Sequence, residues 1–151
     1  MKLASFLIPV LLIAAIAGVI SCSKSGGGSK PTISIKSITT SVASPDSFVV
    51  VLNFNSQSGT LGGGTFVVIR NRLNIQPITG GAQPPDTLTQ PNGIPNFPNI
   101  SKGEFRYALP FSFMHESDHL NDTVVFKFAA IDRNGKSSDT IVTPKIVVIN
   151  L

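Results

Sequence analysis

The feature that most restricts the fold of this chain is a two-residue alternation of apolar and polar side chains, repeated in short segments. In residues 104–109 every second side chain is aromatic or aliphatic, and residues 123–131 place Val, Phe, Phe and Ala on alternate positions. Successive side chains of a β-strand point to opposite faces of a sheet, so this pattern predicts strands with one buried face. No apolar series with helical spacing persists beyond the first 21 residues. The sequence therefore predicts an all-β fold.

Turn-forming residues separate the segments of this kind. The predicted strands are residues 32–40, 47–54, 65–70, 73–77, 104–109, 123–131 and 140–149. Phe111 and Phe113 are expected to continue the fifth strand. The continuous apolar run 48–52 predicts burial on both faces of its strand, and Pro144 predicts a sheet edge or a bulge. Six or seven antiparallel strands over residues 31–151 predict a single immunoglobulin-like β-sandwich domain.

The last predicted hairpin has a distinctive sequence. Residues 130–138 read Ala-Ile-Asp-Arg-Asn-Gly-Lys-Ser-Ser, and the Asn-Gly pair is a strong signal for a hairpin turn. Residues 123–148 resemble the final hairpin of bacterial immunoglobulin-like and fibronectin type III-like modules, in which an apolar strand ends in Ala-x-Asp-x-x-Gly-x-x-Ser. The resemblance implies the sandwich architecture but no particular activity, since such folds carry many functions. The chain has no Trp and a single Cys, so the buried Trp and the disulfide of antibody domains are missing.

The N-terminus carries an apolar leader. Met1 and Lys2 precede an uncharged run, residues 3–21, that is rich in Leu, Ile, Val and Ala. A positively charged start followed by an apolar core is typical of a secretory signal, although this run is also long enough to span a bilayer as an uncleaved helix. The leader can therefore be interpreted as a plain secretory signal, an uncleaved anchor or a lipoprotein signal.

The residues at the end of the leader favour the lipoprotein interpretation. Val19, Ile20, Ser21 and Cys22 resemble the lipobox of bacterial lipoproteins, with Val where the family usually has Leu. Cys22 is the only cysteine in the chain, and it stands where the lipobox requires it. The resemblance implies that residues 1–21 are a cleaved signal peptide and that Cys22 becomes the lipidated N-terminus of the mature protein.

Lipidation would determine where the protein resides. Several acyl chains, each contributing ~0.8 kcal/mol per buried methylene, anchor a protein to a membrane in practice permanently. Residues 22–30 are rich in Gly and Ser and are expected to form a flexible tether between Cys22 and the domain. Ser23, in place of Asp, resembles lipoproteins that are sent on to the outer membrane. The expected location is therefore the outer membrane, with the periplasmic and the outer surface both left open.

Charge and composition narrow the choice of partners. The formal net charge is +4 at pH 7, and the Lys and Arg residues are scattered singly through the sequence. A nucleic-acid-binding domain needs a basic patch, so no nucleic-acid partner is expected. The expected partners are the membrane, through the lipid anchor, and an envelope protein or glycan. No cofactor is expected.

Residues 115–119 read His-Glu-Ser-Asp-His and so match the zinc-protease pattern H-E-x-x-H. In such a protease a helix brings both histidines onto one face, and a third ligand completes the metal site. Here the motif lies between two predicted strands, and His115 and His119 are the only histidines in the chain. We therefore predict a non-catalytic protein without a metal site. A small zinc-dependent hydrolase using His115, Glu116 and His119 is the alternative.

Three aspartates, Asp46, Asp132 and Asp139, are predicted to lie near loop ends and could together hold Ca²⁺. The chain lacks the dense Asp spacing of calcium-binding loops. Asp also caps turns by accepting hydrogen bonds from the neighbouring backbone. Turn capping is therefore the favoured role of these residues.

The proline-rich segment 79–103 is predicted to be a single long loop. Loops of this length in compact domains are usually functional or disordered. Ile94, Phe97 and Ile100 make the segment more apolar than an ordinary linker, so they are the predicted binding residues. The alternative is a structural loop that covers a sheet edge.

Three Asp-Thr-aliphatic triplets, at residues 86–88, 122–124 and 139–141, resemble the acceptor of a bacterial periplasmic O-glycosylation system. Asp-Thr pairs also simply begin strands. Thr87 is the predicted glycosylation site, because only the first triplet lies in a predicted open loop.

Together these features predict a non-catalytic, lipid-anchored cell-envelope lipoprotein that presents an immunoglobulin-like module to a protein or glycan partner. Two alternatives stay open: the small zinc-dependent hydrolase, and a structural accessory of an outer-membrane assembly.

Overall fold

Two β-sheets packed face to face make up the fold of the chain. The computed structural model describes residues 29–73, 87–115 and 121–150. The strands are β1 (Thr32–Ile38), β2 (Ser41–Ala43), β3 (Ser47–Asn55), β4 (Thr65–Arg72), β5 (Thr87–Gly93), β6 (Lys102–Pro110), β7 (Asp122–Ile131), β8 (Ile141–Val142) and β9 (Ile146–Ile149). The predicted all-β sandwich is confirmed, with nine strands in the described residues instead of six or seven.

The strand order is that of an immunoglobulin-type sandwich. The first sheet has the order β1-β3-β6, and the second has the order β2-β9-β7-β4-β5, with β8 also pairing with β7. With β1, β3 and β6 as strands A, B and E, and β4, β7 and β9 as C, F and G, each strand falls in the expected sheet. The pairs are antiparallel except β2 with β9, which run parallel.

The core lies between the sheets because alternate residues of the long strands are apolar. Phe48 of the first sheet stacks on Phe126 of the second, with ring centroids 4.7 Å apart, and both are fully buried. Burying one such side chain contributes about 1.5–3 kcal/mol. The expectation that the run 48–52 is buried on both faces is wrong. Val49 and Val51 point away from the core and are only partly buried, because the outer face of this sheet meets solvent.

Two predicted strands are shorter in the structure than in the prediction. The predicted strand 32–40 ends at Ile38, the last residue of β1, and the chain then crosses to the second sheet. The amide of Thr39 donates to the carbonyl of Val49 in the first sheet (2.9 Å), whereas the carbonyl of Thr40 accepts from Val147 in the second (2.9 Å). Neighbouring residues thus bond to opposite sheets, and a strand prediction from local alternation cannot see this switch.

The last predicted strand, 140–149, is interrupted between β8 and β9. The side-chain hydroxyl of Thr143 accepts a hydrogen bond from the amide of Phe126 (3.0 Å) and donates to the carbonyl of Pro144 (2.8 Å). Pro144 lacks an amide hydrogen and cannot continue the ladder. The expected irregularity at Pro144 is therefore present as a break.

Two other predictions, of a long loop and of a continued strand, are wrong. The predicted loop 79–103 contains strand β5, which pairs with β4 from Thr65↔Gly93 to Asn71↔Thr87. Instead of continuing β6, the chain forms a short 3₁₀ helix, Phe111–Phe113. No helix among the described residues is long and apolar enough to cross a membrane. The predicted strand 73–77 lies outside the described residues except for Leu73, which is not in a strand.

Gly64 lies where two chain segments approach each other closely. Its amide donates to the carbonyl of Leu61 (3.0 Å), and its carbonyl accepts from Ile94 (2.9 Å). A Cβ at this position would overlap the carbonyl oxygen of Ile131, which is backbone and cannot rotate away. Only glycine fits at the start of β4.

Gly64→Ala is therefore expected to lower the free energy of unfolding by about 3 kcal/mol, because the backbone must shift to admit a methyl group. The measurement is urea unfolding of the purified protein. Gly93→Ala is the matched control, since a Cβ at Gly93 meets nothing within 4 Å. It should change the stability by less than about 0.5 kcal/mol. Equal effects of the two substitutions would contradict the close approach at Gly64.

Candidate functional site

Three connections meet at one end of the sandwich, because β3, β5 and β7 all finish there. We call this the loop end and define it as residues 29–31, 56–64, 94–102 and 132–139. Backbone hydrogen bonds join its parts: Ser56 to Ser101 at 2.7 Å, Gly63 to Pro95 at 3.3 Å and Arg133 to Thr60 at 3.2 Å. The loops are therefore one connected surface.

The described chain also begins at the loop end. Thr32, the first residue of β1, pairs with Asn55, the last residue of β3. Before it, Nζ of Lys30 lies 2.6 Å from Oδ1 of Asp139, and both side chains are more than half exposed, at 54% and 80%. An exposed pair of this kind contributes little to stability. The pairing of Thr32 with Asn55 is what places the entry of the N-terminal segment at the loop end.

Asp132 organises the turn between β7 and β8. Its Oδ1 accepts from the amides of Asn134 (2.9 Å) and Lys136 (2.8 Å), and its Oδ2 accepts from the hydroxyl of Thr60 (2.7 Å). Gly135 completes the turn with a φ of 80°, and no described non-glycine residue has a positive φ. This is a type I turn followed by a left-handed glycine, one of the common hairpin loops.

The same contacts alter the acidity of Asp132. Burial of the carboxyl by itself would raise its pKa. The hydrogen bonds from Thr60, Lys136 and Asn134, together with the positive charge of Lys136, outweigh burial, and the pKa of Asp132 is lowered from its ordinary value. The ionised carboxylate therefore stabilises the fold, which is the turn-capping role expected from the sequence.

The predicted binding residues Ile94, Phe97 and Ile100 differ in how far they are buried. Ile94 is 5% exposed and belongs to the core, and Phe97 stacks on Phe54 with ring centroids 5.4 Å apart. Ile100 is 44% exposed. Only Ile100 is thus open to a partner, whereas Ile94 and Phe97 fix the segment to the sandwich.

His115 lies at the opposite end, where a buried ion pair joins β4 to β7. Nε of Arg72 donates to Oδ1 of Asp122 at 3.2 Å, and these side chains are 5% and 1% exposed. Nδ1 of His115 lies 3.8 Å from Oδ2 of Asp122, too far for a hydrogen bond. The imidazole stacks on Phe111 with centroids 4.8 Å apart. His119 and Glu116 lie outside the described residues.

A recess with a cavity volume of about 10 Å³, about the room for one water molecule, lies between the sheets near this end, lined by Arg70, Gln90 and four apolar side chains. Nη1 of Arg70 donates to the carbonyl of Phe113 at 3.0 Å. The recess is therefore far too small for a ligand, since the pockets that hold small molecules usually measure about 300–1,000 Å³. In the described part of the chain no three His, Cys, Asp or Glu side chains are close enough to share a metal ion.

The outer faces of the two sheets differ in chemistry. The outer face of the first sheet carries the ion pair between Lys36 and Glu104 (2.6 Å) and the exposed Arg106. The outer face of the second sheet is mostly apolar, and we call it the apolar face. Its members are Val67, Ile69, Val125, Ala129, Ile131, Val142 and Val147.

The apolar face reaches solvent at its β8–β9 side. Val142 is 56% exposed and Val147 is 36% exposed. The apolar face also carries polar side chains, because Lys127 lies between Ile69 and Val142, and Thr123 lies beside Val147. A largely apolar surface on a sheet whose other face already forms the core is typical of an interaction surface. The sequence carries a signal for it, because residues 66–69 and 123–131 place apolar side chains at inward and outward positions alike.

The sequence predicts two modification sites, Cys22 and Thr87. Cys22 lies outside the described residues. Thr87 is the first residue of strand β5, opposite Asn71, and is therefore a strand residue rather than a loop residue. In the other triplets, Asp122 is buried at the start of β7, whereas Asp139 and Thr140 are exposed before β8. Exposure thus favours the third triplet over the second.

Comparison with known proteins adds little to this geometry. No protein-family model matches the sequence, and no curated protein matches it. Among solved structures, β-glucosidase from Listeria innocua in complex with glucose is similar over 78% of this chain and 16% of its own, with a TM-score of 0.43 and 9% identity. The chain therefore spans about a sixth of that enzyme.

Asp132→Asn should make the stability of the protein less sensitive to acid. Because the folded-state pKa of Asp132 is lowered, its contribution is complete above its ordinary value of 3.8 and is lost as the pH falls through the folded-state pKa. Asparagine keeps an oxygen for the backbone amides but loses the charge, at a cost of about 2 kcal/mol at pH 7. Urea unfolding from pH 7 to pH 3 measures both effects.

Asp139→Asn is the control, because it removes the same charge from a side chain that is 80% exposed. It should cost less than about 0.5 kcal/mol. If Asp139→Asn flattened the pH profile as much as Asp132→Asn, net charge rather than the turn would explain the acid sensitivity.

Proposed function

We propose that this chain is a non-catalytic, lipid-anchored lipoprotein of the cell envelope, whose β-sandwich binds a protein or glycan partner. The observation that carries the proposal is the position of its only cysteine. Cys22 follows the apolar leader in a lipobox-like sequence and stands ten residues before the first strand, which begins at Thr32. Cleavage before Cys22 would therefore leave every described strand in the mature protein.

The proposed location is the outer membrane, with Cys22 carrying the acyl chains. A diacylglyceryl group and an additional acyl chain together bury enough methylene groups to hold the protein at the membrane. Ser23 supports onward transport to the outer membrane. The sandwich then acts from a fixed position in the envelope.

The apolar face is the surface that we propose for the partner, and it favours a protein over a glycan. Protein interfaces bury aliphatic and aromatic side chains at their centre. Val142 and Val147 offer aliphatic surface without the aromatic rings on which sugars stack. The first sheet, with Lys36 paired to Glu104, offers no comparable surface.

The hydrolase alternative receives no added support from the described residues. His115 stacks on Phe111 and directs Nδ1 toward Asp122, which is already bonded to Arg72. A zincin needs both histidines on one helix face. A structural accessory of an outer-membrane assembly differs from the main proposal only in the identity of the partner.

Processing at Cys22 is the direct test of the anchor. Mass spectrometry of the protein from bacterial membranes should show a mature chain that begins at Cys22 with attached acyl chains. Globomycin, which blocks lipoprotein signal peptidase, should cause the form that retains residues 1–21 to accumulate. Cys22→Ser should abolish lipidation and release the domain from the membrane. A mature protein that retains Met1 without globomycin would refute the proposal.

The apolar face can be tested with a photo-crosslinking amino acid at position 142 or 147. Both positions should give the same adduct of defined mass in intact cells, and position 34 on the outer face of the first sheet should give none. Val142→Lys should weaken the association about tenfold or more, because it places an unpaired charge in the interface. Its effect on stability should stay within about 0.5 kcal/mol, since Val142 is 56% exposed.

Ser34→Lys is the matched control, because Ser34 is an exposed strand residue on the other sheet. It should leave the crosslink at position 147 unchanged. Equal adducts from both sheets, or a crosslink insensitive to Val142→Lys, would exclude the apolar face as the contact surface.

A further inference from the structure

The position of the N-terminal segment determines which end of the domain lies nearest to Cys22. Lys30 contacts Asp139 and Thr32 pairs with Asn55, so the chain enters the sandwich at the loop end. Residues 22–30 span at most about 30 Å even when fully extended. Strand β7, with 10 residues, covers about 33 Å. The tether therefore joins the loop end directly to a membrane at Cys22, and the opposite end of the domain lies a strand length from that junction.

The charge of the loop end suits an anionic surface. Its described cations are Lys30, Lys102, Arg133 and Lys136, and the first three are exposed. Of its two carboxylates, Asp132 is buried and accepts three hydrogen bonds, and Asp139 is paired with Lys30. The net charge of the loop end is therefore positive, and its exposed cations face the solvent. An anionic membrane attracts exposed cations of this kind to its headgroups.

An apolar side chain projects from the same surface. Ile100 is 44% exposed, and the preceding residue, Asn99, accepts a hydrogen bond from Nη2 of Arg133 at 2.7 Å. The guanidinium is thereby held beside the segment that carries Ile100, and Lys102 follows two residues later. An exposed aliphatic residue flanked by cations is the combination that binds at the boundary between headgroups and acyl chains.

We infer that the loop end lies against the anionic phospholipid headgroups of the leaflet that holds the acyl chains of Cys22. The inference rests on the proposed lipid anchor and adds the orientation of the domain on the membrane. Lys102 and Arg133 contact headgroup phosphates, and Ile100 enters the interface. The apolar face then stands sideways to the membrane, where a partner in the envelope can reach it.

Fluorescence quenching on the full mature lipoprotein tests this orientation. A thiol-reactive fluorophore is placed at Ser101→Cys in the loop end or at Ser112→Cys at the opposite end, since both serines are exposed and a lipidated Cys22 has no free thiol. The protein is reconstituted in phosphatidylcholine vesicles with or without phosphatidylglycerol, and the quencher is a nitroxide on a lipid headgroup. With phosphatidylglycerol, quenching at position 101 should exceed that at position 112 about fivefold or more.

Charge reversal separates headgroup contact from simple proximity. Lys102→Glu with Arg133→Glu should reduce quenching at position 101 to the level at position 112. Arg106→Glu with Lys145→Glu, the same change at exposed positions outside the loop end, should have no effect. Because the first pair of substitutions removes a hydrogen bond to Asn99, salt provides a second measurement: raising the ionic strength should lower the quenching at position 101 in the protein that carries no charge substitution.

The lipidation state distinguishes the two proposals. Each sample is checked by mass spectrometry, and loss of the acyl chains on Cys22 would refute the lipid anchor. In lipidated protein, equal quenching at positions 101 and 112 would refute the orientation. Quenching at position 101 that is independent of phosphatidylglycerol and of salt would refute the anionic headgroup contact.

Discussion

The fold depends on the burial of alternate side chains between two sheets that the chain visits in turn. Phe48 of β3 meets Phe126 of β7 across the interior, and Phe66 of β4 meets Phe105 of β6 edge to face at 5.1 Å. Each contact joins opposite sheets, so neither sheet can form its buried face without the other. The connections between the strands make this arrangement possible. The loop 56–64, for example, leads the chain from β3 in the first sheet to β4 in the second.

The alternation in the sequence is sufficient to predict the long strands but not how they pair. β3, β4, β6 and β7 were predicted within a few residues, because each carries its own inward-facing pattern. β5 was missed because Pro91 and Gly93 lie within it and its stability comes from pairing with β4. The division of the first strand at Thr39 depends on partners in two different sheets. Such pairings are non-local and leave no periodic signal.

The sequence also predicts the candidate surfaces only in part. The turn-capping role of Asp132 was predictable from its own neighbours, but its bond to Thr60, 72 residues away, was not. Ile94, Phe97 and Ile100 are all apolar residues of one segment, and the sequence does not distinguish them. In the structure Ile94 is buried in the core and Phe97 stacks on Phe54, whereas Ile100 is exposed. The apolar face had a sequence signal in the outward apolar residues of β4 and β7. The sequence alone does not identify that signal as an exposed surface, because strands covered on both faces have the same composition.

The two ends of the sandwich also differ in what they can do, and the difference follows from strand direction. Antiparallel strands alternate in direction, so segments far apart in sequence meet at one end, and near neighbours can lie at opposite ends. The first residue of β1 therefore joins the loops at 56–64 and 132–139, whereas His115 and the Arg72–Asp122 pair lie a strand length away. If Cys22 is lipidated and the loop end lies against the membrane, as we infer, the His115 region projects away from the bilayer. A ligand for His115 would have to come from the solvent, whereas the loop end meets the lipid surface first.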